Sequence, residues 1–162
     1  MSEDHGTFQN SDTTTMNEVQ AVRTLPSASK AAVLAAAKSS RKEITVELPS
    51  MECTVLLREM TGSDHDGFVA SMQKDVGYDD EKLQRVKETD LTNTRAKLVA
   101  RCWIDVETNE RMFSDSEVDE LGTLPTSAMQ TLADASMKIN GLSDDDIEEM
   151  AGNSEAIHGD DS

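Results

Sequence analysis

The chain has 162 residues and a formal net charge of −17, and only 3% of its residues are aromatic. Such a composition lies between those of globular and disordered proteins, so we expect a small aliphatic core and some unstructured chain. It excludes a large aromatic core.

The acidic charge is concentrated in the second part of the chain. Residues 1–104 carry 16 acidic and 13 basic side chains, a net charge of −3, whereas residues 105–162 carry 16 acidic and 2 basic, a net charge of −14. A surface this negative repels phosphate groups, which argues against nucleic acids and anionic membranes as partners. Basic partners remain open.

The sequence contains no segment typical of secretion or membrane insertion. The longest apolar stretch, residues 31–37, is short and mainly alanine. The two cysteines, Cys53 and Cys102, do not form a disulfide framework. We therefore expect a soluble protein of a reducing, intracellular compartment.

Both ends of the chain are predicted to be tails. Residues 1–40 form a disordered N-terminal tail, because the apolar residues of its first part are scattered without a period. Within it, the Ala-rich segment 29–40 is either a marginal helix that needs a partner surface or a continuation of the tail. Residues 153–162 form a second polar tail, which leaves 41–152 as the folded domain.

The predicted fold is α+β, mostly helical with a small antiparallel sheet. Alternating polar and apolar residues predict a strand at 43–48, and a second strand at 53–60 pairs with it. A hairpin at 102–113 completes the sheet. Helical spacing predicts a helix at 64–74, capped by Ser63, and a loop at 75–81.

The longest predicted helix covers residues 81–101. Its expected apolar face consists of Leu83, Val86, Leu91, Leu98 and Val99. Three further helices follow. The first begins at the capping box of Ser114 and Glu117, the second spans 125–139, and the third spans 143–150.

No group of residues indicates catalysis or metal binding. The histidines, His5, His65 and His158, are far apart in sequence and distant from both cysteines. The acidic turn at 105–111 lacks the glycine that a calcium loop needs, and acids at helix starts are explained by the helix dipole. We assign no catalytic, cofactor-binding or metal-binding residue and predict a protein that is not an enzyme.

Methionine is frequent, with nine residues. Flexible thioether side chains suit surfaces that accommodate varied apolar partners, and they also fill irregular gaps in a core. The core role is favoured for any single methionine, and Trp103 is likewise expected in the core.

The order of several short segments resembles the tail assembly chaperones of long-tailed bacteriophages. The segments are Leu57-Arg58-Glu59-Met60-Thr61-Gly62, residues 95–103, residues 111–115, Val118-Asp119-Glu120-Leu121-Gly122 and Ile139-Asn140-Gly141-Leu142-Ser143. The resemblance spans about residues 43–152 and leaves out the N-terminal tail.

This resemblance implies a function without catalysis. Such chaperones keep the aggregation-prone tape measure protein soluble in the host cytoplasm, promote tail tube assembly around it, and are absent from the mature virion. Many occur in two lengths through a ribosomal frameshift, and the ending at residues 158–162 resembles the shorter product. The implied partners are the tape measure protein and the tail tube protein.

Two other functions remain open. An acidic DNA mimic could occupy a basic nucleic-acid-binding site, although its acids would be expected in evenly spaced rows. A structural tail component would persist in virions. For the chaperone function, the hypothesis is that the client docks on apolar side chains of helix 81–101 and segment 125–139.

Overall fold

The computed structural model describes residues 27–152 and confirms the α+β fold class. Six α-helices and two small antiparallel sheets make up this region. In chain order the elements are α1 (Lys30–Ser39), β1 (Glu43–Leu48), β2 (Cys53–Arg58), α2 (Gly62–Ser71), β3 (Gln73–Asp79), β4 (Gln84–Thr89), α3 (Thr94–Cys102), β5 (Trp103–Ile104), α4 (Val118–Leu121), α5 (Thr126–Asn140) and α6 (Asp144–Gly152).

The first sheet has the strand order β1-β2-β5 and is antiparallel throughout. A short 3-10 helix, Pro49–Met51, connects β1 to β2, and Glu52 takes a left-handed conformation with φ 51°. The chain then turns back after β5 as predicted for 102–113, because Ile104 pairs with Arg111. Trp103 and Phe113 meet edge to face, with ring centroids 5.2 Å apart. The predicted sheet is therefore confirmed.

The hydrophobic core lies between this sheet and the packed helices α3 and α5. Leu57, Val99 and Leu132 are completely buried. The inward face of α5 is the one expected from the sequence, consisting of Met129, Leu132, Ala133, Ser136 and Ile139. An apolar stripe at helical spacing thus has the burial that its period predicts.

Side-chain caps fix the starts of three helical segments. The capping box of Ser114 and Glu117 is present and opens the 3-10 turn that leads into α4. Ser143 accepts a hydrogen bond from the Asp146 amide at the start of α6. The cap predicted at Ser63 is wrong, because Thr61 caps α2 in a reciprocal box with Asp64. Helix α2 therefore begins at Gly62, before the predicted start at residue 64. It ends at Ser71, before the predicted end at residue 74.

The predictions of a loop at 75–81 and a helix at 81–101 are wrong in part. Residues 73–79 and 84–89 form β3 and β4, which pair as a two-stranded ribbon, and helix α3 begins only at Thr94. Of the expected apolar face, Leu83 and Leu91 are exposed, whereas Leu98 and Val99 enter the core. Residues 84–89 have no apolar face that a helix could bury. Their conformation is therefore determined by local strand pairing with β3.

The base of the ribbon is joined to the domain by polar contacts. The Asp90 amide donates to the Met72 carbonyl at 2.6 Å, which brings the two ends of the ribbon together. The Lys97 ammonium donates to the Ser71 carbonyl at 2.8 Å and pairs with the Asp90 carboxylate at 3.3 Å. The ribbon therefore begins and ends at one place beside α3.

The Ala-rich segment is helical. Helix α1 starts at the Ser29 cap, and every one of its residues is exposed. The predicted tails, residues 1–26 of the N-terminal segment and 153–162, lie outside the described residues. Within residues 27–152, no helix is long and apolar enough to cross a membrane.

Candidate interaction groove

An open groove of about 620 Å³ lies where α3, α5 and the start of α6 converge. Three separate parts of the chain supply its walls, so it exists only in the folded protein. It is lined by Leu91, Asn93, Thr94, Arg95, Ala96, Leu98, Gly122, Met129, Ala133, Met137, Asp144, Ile147 and Glu148.

Local backbone geometry brings these walls together. Asn93 adopts a left-handed conformation at the start of α3, and its side-chain amide donates to the Asp119 carboxylate at 2.8 Å. A Cβ at Gly122 would lie 3.2 Å from the Asn93 side-chain oxygen, so this close approach favours glycine. Gly141, with φ 65°, ends α5 and turns the chain toward α6.

The groove has an apolar floor and a charged rim. Leu98 and Ala133 are buried at the bottom, and Met137 and Ile147 are half-buried along the side. Leu91, 54% exposed, adds apolar surface at one end. A concave apolar surface of this kind can accept the apolar face of a helix.

The charges on the rim are of both signs. Arg95, Asp144 and Glu148 are at its edge, and Asp144 is in the acidic first turn of α6. No ion pair involves these three side chains among residues 27–152. They are therefore available to select a partner by charge.

The structure locates the docking surface hypothesised from the sequence only in part. Residues of α3 and of segment 125–139 do line one groove, whereas residues 81–90 lie in the ribbon and its base and contribute nothing to it. Sequence reasoning missed the wall supplied by Ile147 and Glu148 of α6, because no pattern indicates which helices become neighbours.

The methionines divide between core and surface. Met60, Met72 and Met129 are buried, which confirms the favoured core role for these three. Met112 is 43% exposed, outside the groove. Met129 and Met137 line the groove, and the flexible side chain of the half-buried Met137 can adapt to different apolar surfaces.

Asn140 links the segments that carry the family resemblance. Its side-chain oxygen accepts from the Met60 amide at 2.8 Å, and its nitrogen donates to the Ser136 carbonyl at 2.7 Å. The same nitrogen lies 3.3 Å from the Cys102 sulfur. Three segments distant in sequence thus meet at the side-chain amide of Asn140. This residue therefore has a structural role.

A second polar cluster fixes the start of the acidic region. The Asp115 carboxylate pairs with Arg101 at 3.0 Å and with Arg111 at 2.7 Å. The hydrogen bond from Arg111, aided by the charge of Arg101, holds the pKa of Asp115 below its usual range. Hydrogen bonds from Ser114 and from Ser143 likewise lower the pKa values of Glu117 and Asp146. These acids serve as caps and ion-pair partners.

The other residues considered for chemistry remain separate. Cys102 is buried, and burial raises the pKa of its thiol to about 11, so it is a poor nucleophile. Cys53 is exposed, and His65 lies 3.8 Å from Asp66. No three His, Cys, Asp or Glu side chains within residues 27–152 are placed to hold a metal ion. His5 and His158 lie outside the described residues.

Comparison with known families identifies the family of the chain. The family model of the phage tail assembly chaperone matches residues 28–156, which is most of the chain. The chain belongs to this family. The match is wider than the span 43–152 on which the resemblance rested, and it includes helix α1.

Membership gives this chaperone a role in phage tail assembly, in interaction with tail components, and favours a function without catalysis. No curated protein sequence and no solved structure gives a match. The groove between α3, α5 and α6, with its apolar floor and charged rim, is a candidate contact surface for a tail component.

Proposed function

We propose that this chaperone binds the tape measure protein, keeps it soluble in the host cytoplasm, and promotes assembly of the tail tube protein around it. The observation that carries the proposal is the groove between α3, α5 and α6, which combines an apolar floor with methionine side chains in a member of the tail assembly chaperone family. An amphipathic helix of the client lies with its apolar face against Leu91, Met137 and Ile147, the exposed or half-buried apolar residues of the groove.

The acidic charge has a separate role in this proposal. Residues 105–162 carry a net charge of −14, so a client coated with this protein repels other coated clients. Binding through apolar contacts and solubility through charge reside on different side chains. The chaperone leaves before the virion matures, and a longer frameshifted form provides a second contact to the tail tube protein.

Co-expression with the genome-adjacent tape measure protein tests the proposal. We expect the client to become soluble and to co-purify at both low and high salt, because apolar contacts are not screened. Met137→Glu in the groove should abolish rescue, whereas Met112→Glu, an exposed methionine outside the groove, should leave it intact. A client that is equally insoluble with and without the wild-type chaperone contradicts the proposal.

The same experiment separates the alternatives. A DNA mimic would lose its partner steeply as salt rises, since screening shortens the Debye length to about 3 Å at 1 M. A structural tail component would be found in purified virions. The use of Asp115, Glu117 and Asp146 as caps and ion-pair partners gives no support to phosphate mimicry by these acids.

A further inference from the structure

Asn140 is the only asparagine of the chain that is followed directly by glycine. In such a pair the backbone nitrogen of the glycine can attack the side-chain carbonyl carbon of the asparagine, because glycine has no Cβ to obstruct the approach. The other asparagines precede serine, glutamate or threonine, whose larger side chains hinder this ring closure. The sequence therefore places the most reactive asparagine of the chain at the end of α5.

The folded protein holds the reacting groups of this pair in other contacts. Asn140 is the last residue of α5, and the Gly141 amide donates to the Lys138 carbonyl at 3.2 Å. The side-chain oxygen of Asn140 accepts from the Met60 amide at 2.8 Å, and its nitrogen donates to the Ser136 carbonyl at 2.7 Å. Ring closure requires a change in the backbone conformation of Asn140 and the release of these hydrogen bonds. Folding therefore protects the side-chain amide.

This protection depends on local contacts and not on deep burial. Asn140 is half-buried, and Gly141 is exposed. Water and hydroxide therefore reach the pair as soon as the last turn of α5 opens, without unfolding of the whole core. Because local opening takes less free energy than global unfolding, the end of α5 determines how long Asn140 stays intact.

We propose that Asn140 is a modification site that folding closes, and that it is converted to aspartate or isoaspartate in chains whose α5 end opens. In the first step the Gly141 nitrogen forms a bond with the side-chain carbonyl carbon of Asn140 and loses its proton to solvent, and the side-chain amide leaves as ammonia. In the second step water opens the cyclic imide at one of its two carbonyl groups. The net reaction consumes one water and releases one ammonia, without oxidation or reduction.

The product cannot restore the native contacts. The site uses one acceptor and one donor of the Asn140 amide, whereas an ionised carboxylate has acceptors only. The Ser136 carbonyl then loses its donor and faces a negative charge, which destabilises the fold. In isoaspartate the main chain also gains a methylene group just before Gly141, whose left-handed turn leads into α6. A single opening event thus leaves a permanent change at the turn that positions the α6 wall of the groove.

Peptide mapping of the full chain by mass spectrometry tests the protection. The wild type is incubated at mildly alkaline pH in native buffer and in denaturing guanidinium chloride, and each asparagine is followed through the mass gained when an amide becomes an acid. In guanidinium chloride we expect Asn140 to be converted fastest, ahead of Asn93 and Asn109, because only Asn140 precedes glycine. In native buffer its conversion should be at least about tenfold slower, because the reaction waits for local opening.

Two substitutions test the consequence for stability. Asn140→Asp reproduces the aspartate product, and we expect it to raise the unfolding equilibrium constant by about tenfold or more in urea denaturation. Asn109→Asp is the matched control, because the Asn109 side-chain oxygen accepts a hydrogen bond from the Arg58 guanidinium, a role that a carboxylate keeps. This control should unfold at the same urea concentration as the wild type or at a higher one.

Aged wild-type protein provides a second measurement that needs no substitution. After incubation in guanidinium chloride the chain is refolded, and ion exchange separates the forms that have gained negative charge. Fractions changed at Asn140 alone, identified by peptide mapping, should unfold at lower urea than the unmodified protein of the same sample. These fractions also contain the isoaspartate product, which no substitution reproduces.

Conversion of Asn140 in native buffer as fast as in guanidinium chloride overturns the proposal, and so does an Asn140 that is converted under neither condition. An Asn140→Asp variant as stable as Asn109→Asp shows that the site does not need its amide, which also overturns it. These readouts contain no tape measure protein, so their failure is separate from a failure of client rescue.

Discussion

The domain core and the β3–β4 ribbon are neighbours in the chain but are stabilised in different ways. In the core, α3 and α5 bury complete side chains such as Val99 and Leu132 against the sheet. In the ribbon, no residue from 73 to 89 is buried. Its strands are joined by backbone pairing, with a bulge between Asp75 and Gly77. The core thus depends on apolar burial and the ribbon on local hydrogen bonds.

The largest expected effect is from a core truncation. Leu132→Ala removes a fully buried side chain between α5 and its neighbours, and we expect it to lower the free energy of unfolding by about 2–5 kcal/mol. Leu83→Ala in the ribbon, where the side chain is 76% exposed, should change it by less than about 0.5 kcal/mol. Urea denaturation followed by circular dichroism measures both, and equal losses would remove the distinction between the two regions.

A partly buried polar link between distant segments should also contribute measurably to stability. Asn140→Ala leaves the Met60 amide without its acceptor, and we expect a loss of about 1–3 kcal/mol in urea denaturation. Gln130→Ala, which removes an exposed hydrogen bond on the same helix, is the matched control and should have little effect. Similar losses of unfolding free energy in the two variants would show that the Asn140 link stabilises the fold no more than an exposed hydrogen bond does.

Two glycines of α2 offer a sharper comparison. An alanine Cβ at Gly67 would lie 2.7 Å from an Arg101 guanidinium nitrogen, and Arg101 is itself held by Asp115. We expect Gly67→Ala to destabilise by about 1–2 kcal/mol, as overpacking does. Nothing lies within 4 Å of the Cβ position at Gly62, so Gly62→Ala should be neutral or stabilising. Thermal denaturation of the two variants tests this difference. A Gly67→Ala variant that is more stable than the wild type would contradict the close contact between Gly67 and Arg101.

The Asp115 cluster makes part of the stability depend on pH. A carboxylate whose pKa is lowered by folding stabilises the native state above its unfolded pKa, and this contribution is lost as pH falls through the folded pKa. We expect Asp115→Asn to lower the free energy of unfolding by only about 1 kcal/mol near neutral pH. The effect is small because the carboxylate is largely exposed and solvent screens its ion pairs. In urea titrations the difference from the wild type should shrink steadily below about pH 4. A difference that is constant with pH would exclude the ion pairs as its cause.

The smallest effect is expected from removing the ribbon. Because the Asp90 amide contacts the Met72 carbonyl at 2.6 Å, a short Gly-Ser link can replace residues 75–87 without stretching the chain. The shortened protein should keep a cooperative unfolding transition within a few degrees of the wild type. Its failure to fold would show that the core needs the ribbon. A linker of equal length inserted between residues 107 and 108, in another exposed turn, serves as the control.

The same contrast explains what the sequence could predict. Strand 43–48 and helix 125–139 were predictable because their periodic apolar residues are the ones that the core buries. Residues 84–89 were not, because their one apolar residue, Val86, is exposed and helix propensity is a weak guide without burial. The groove could be foreseen only in part, from the apolar residues of α3 and of segment 125–139. It depends on the juxtaposition of three helices, and Asn140 finds its partner 80 residues away in the chain.

The free edges of the ribbon affect how readily this protein could pair with other chains. Each strand has one side without a strand partner among the described residues, and charged side chains interrupt both strands, among them Lys74 and Asp75 in β3 and Lys87 and Glu88 in β4. Such charges discourage the addition of further strands. The ribbon is therefore a poor template for extended chains, even though its backbone groups are free along two edges.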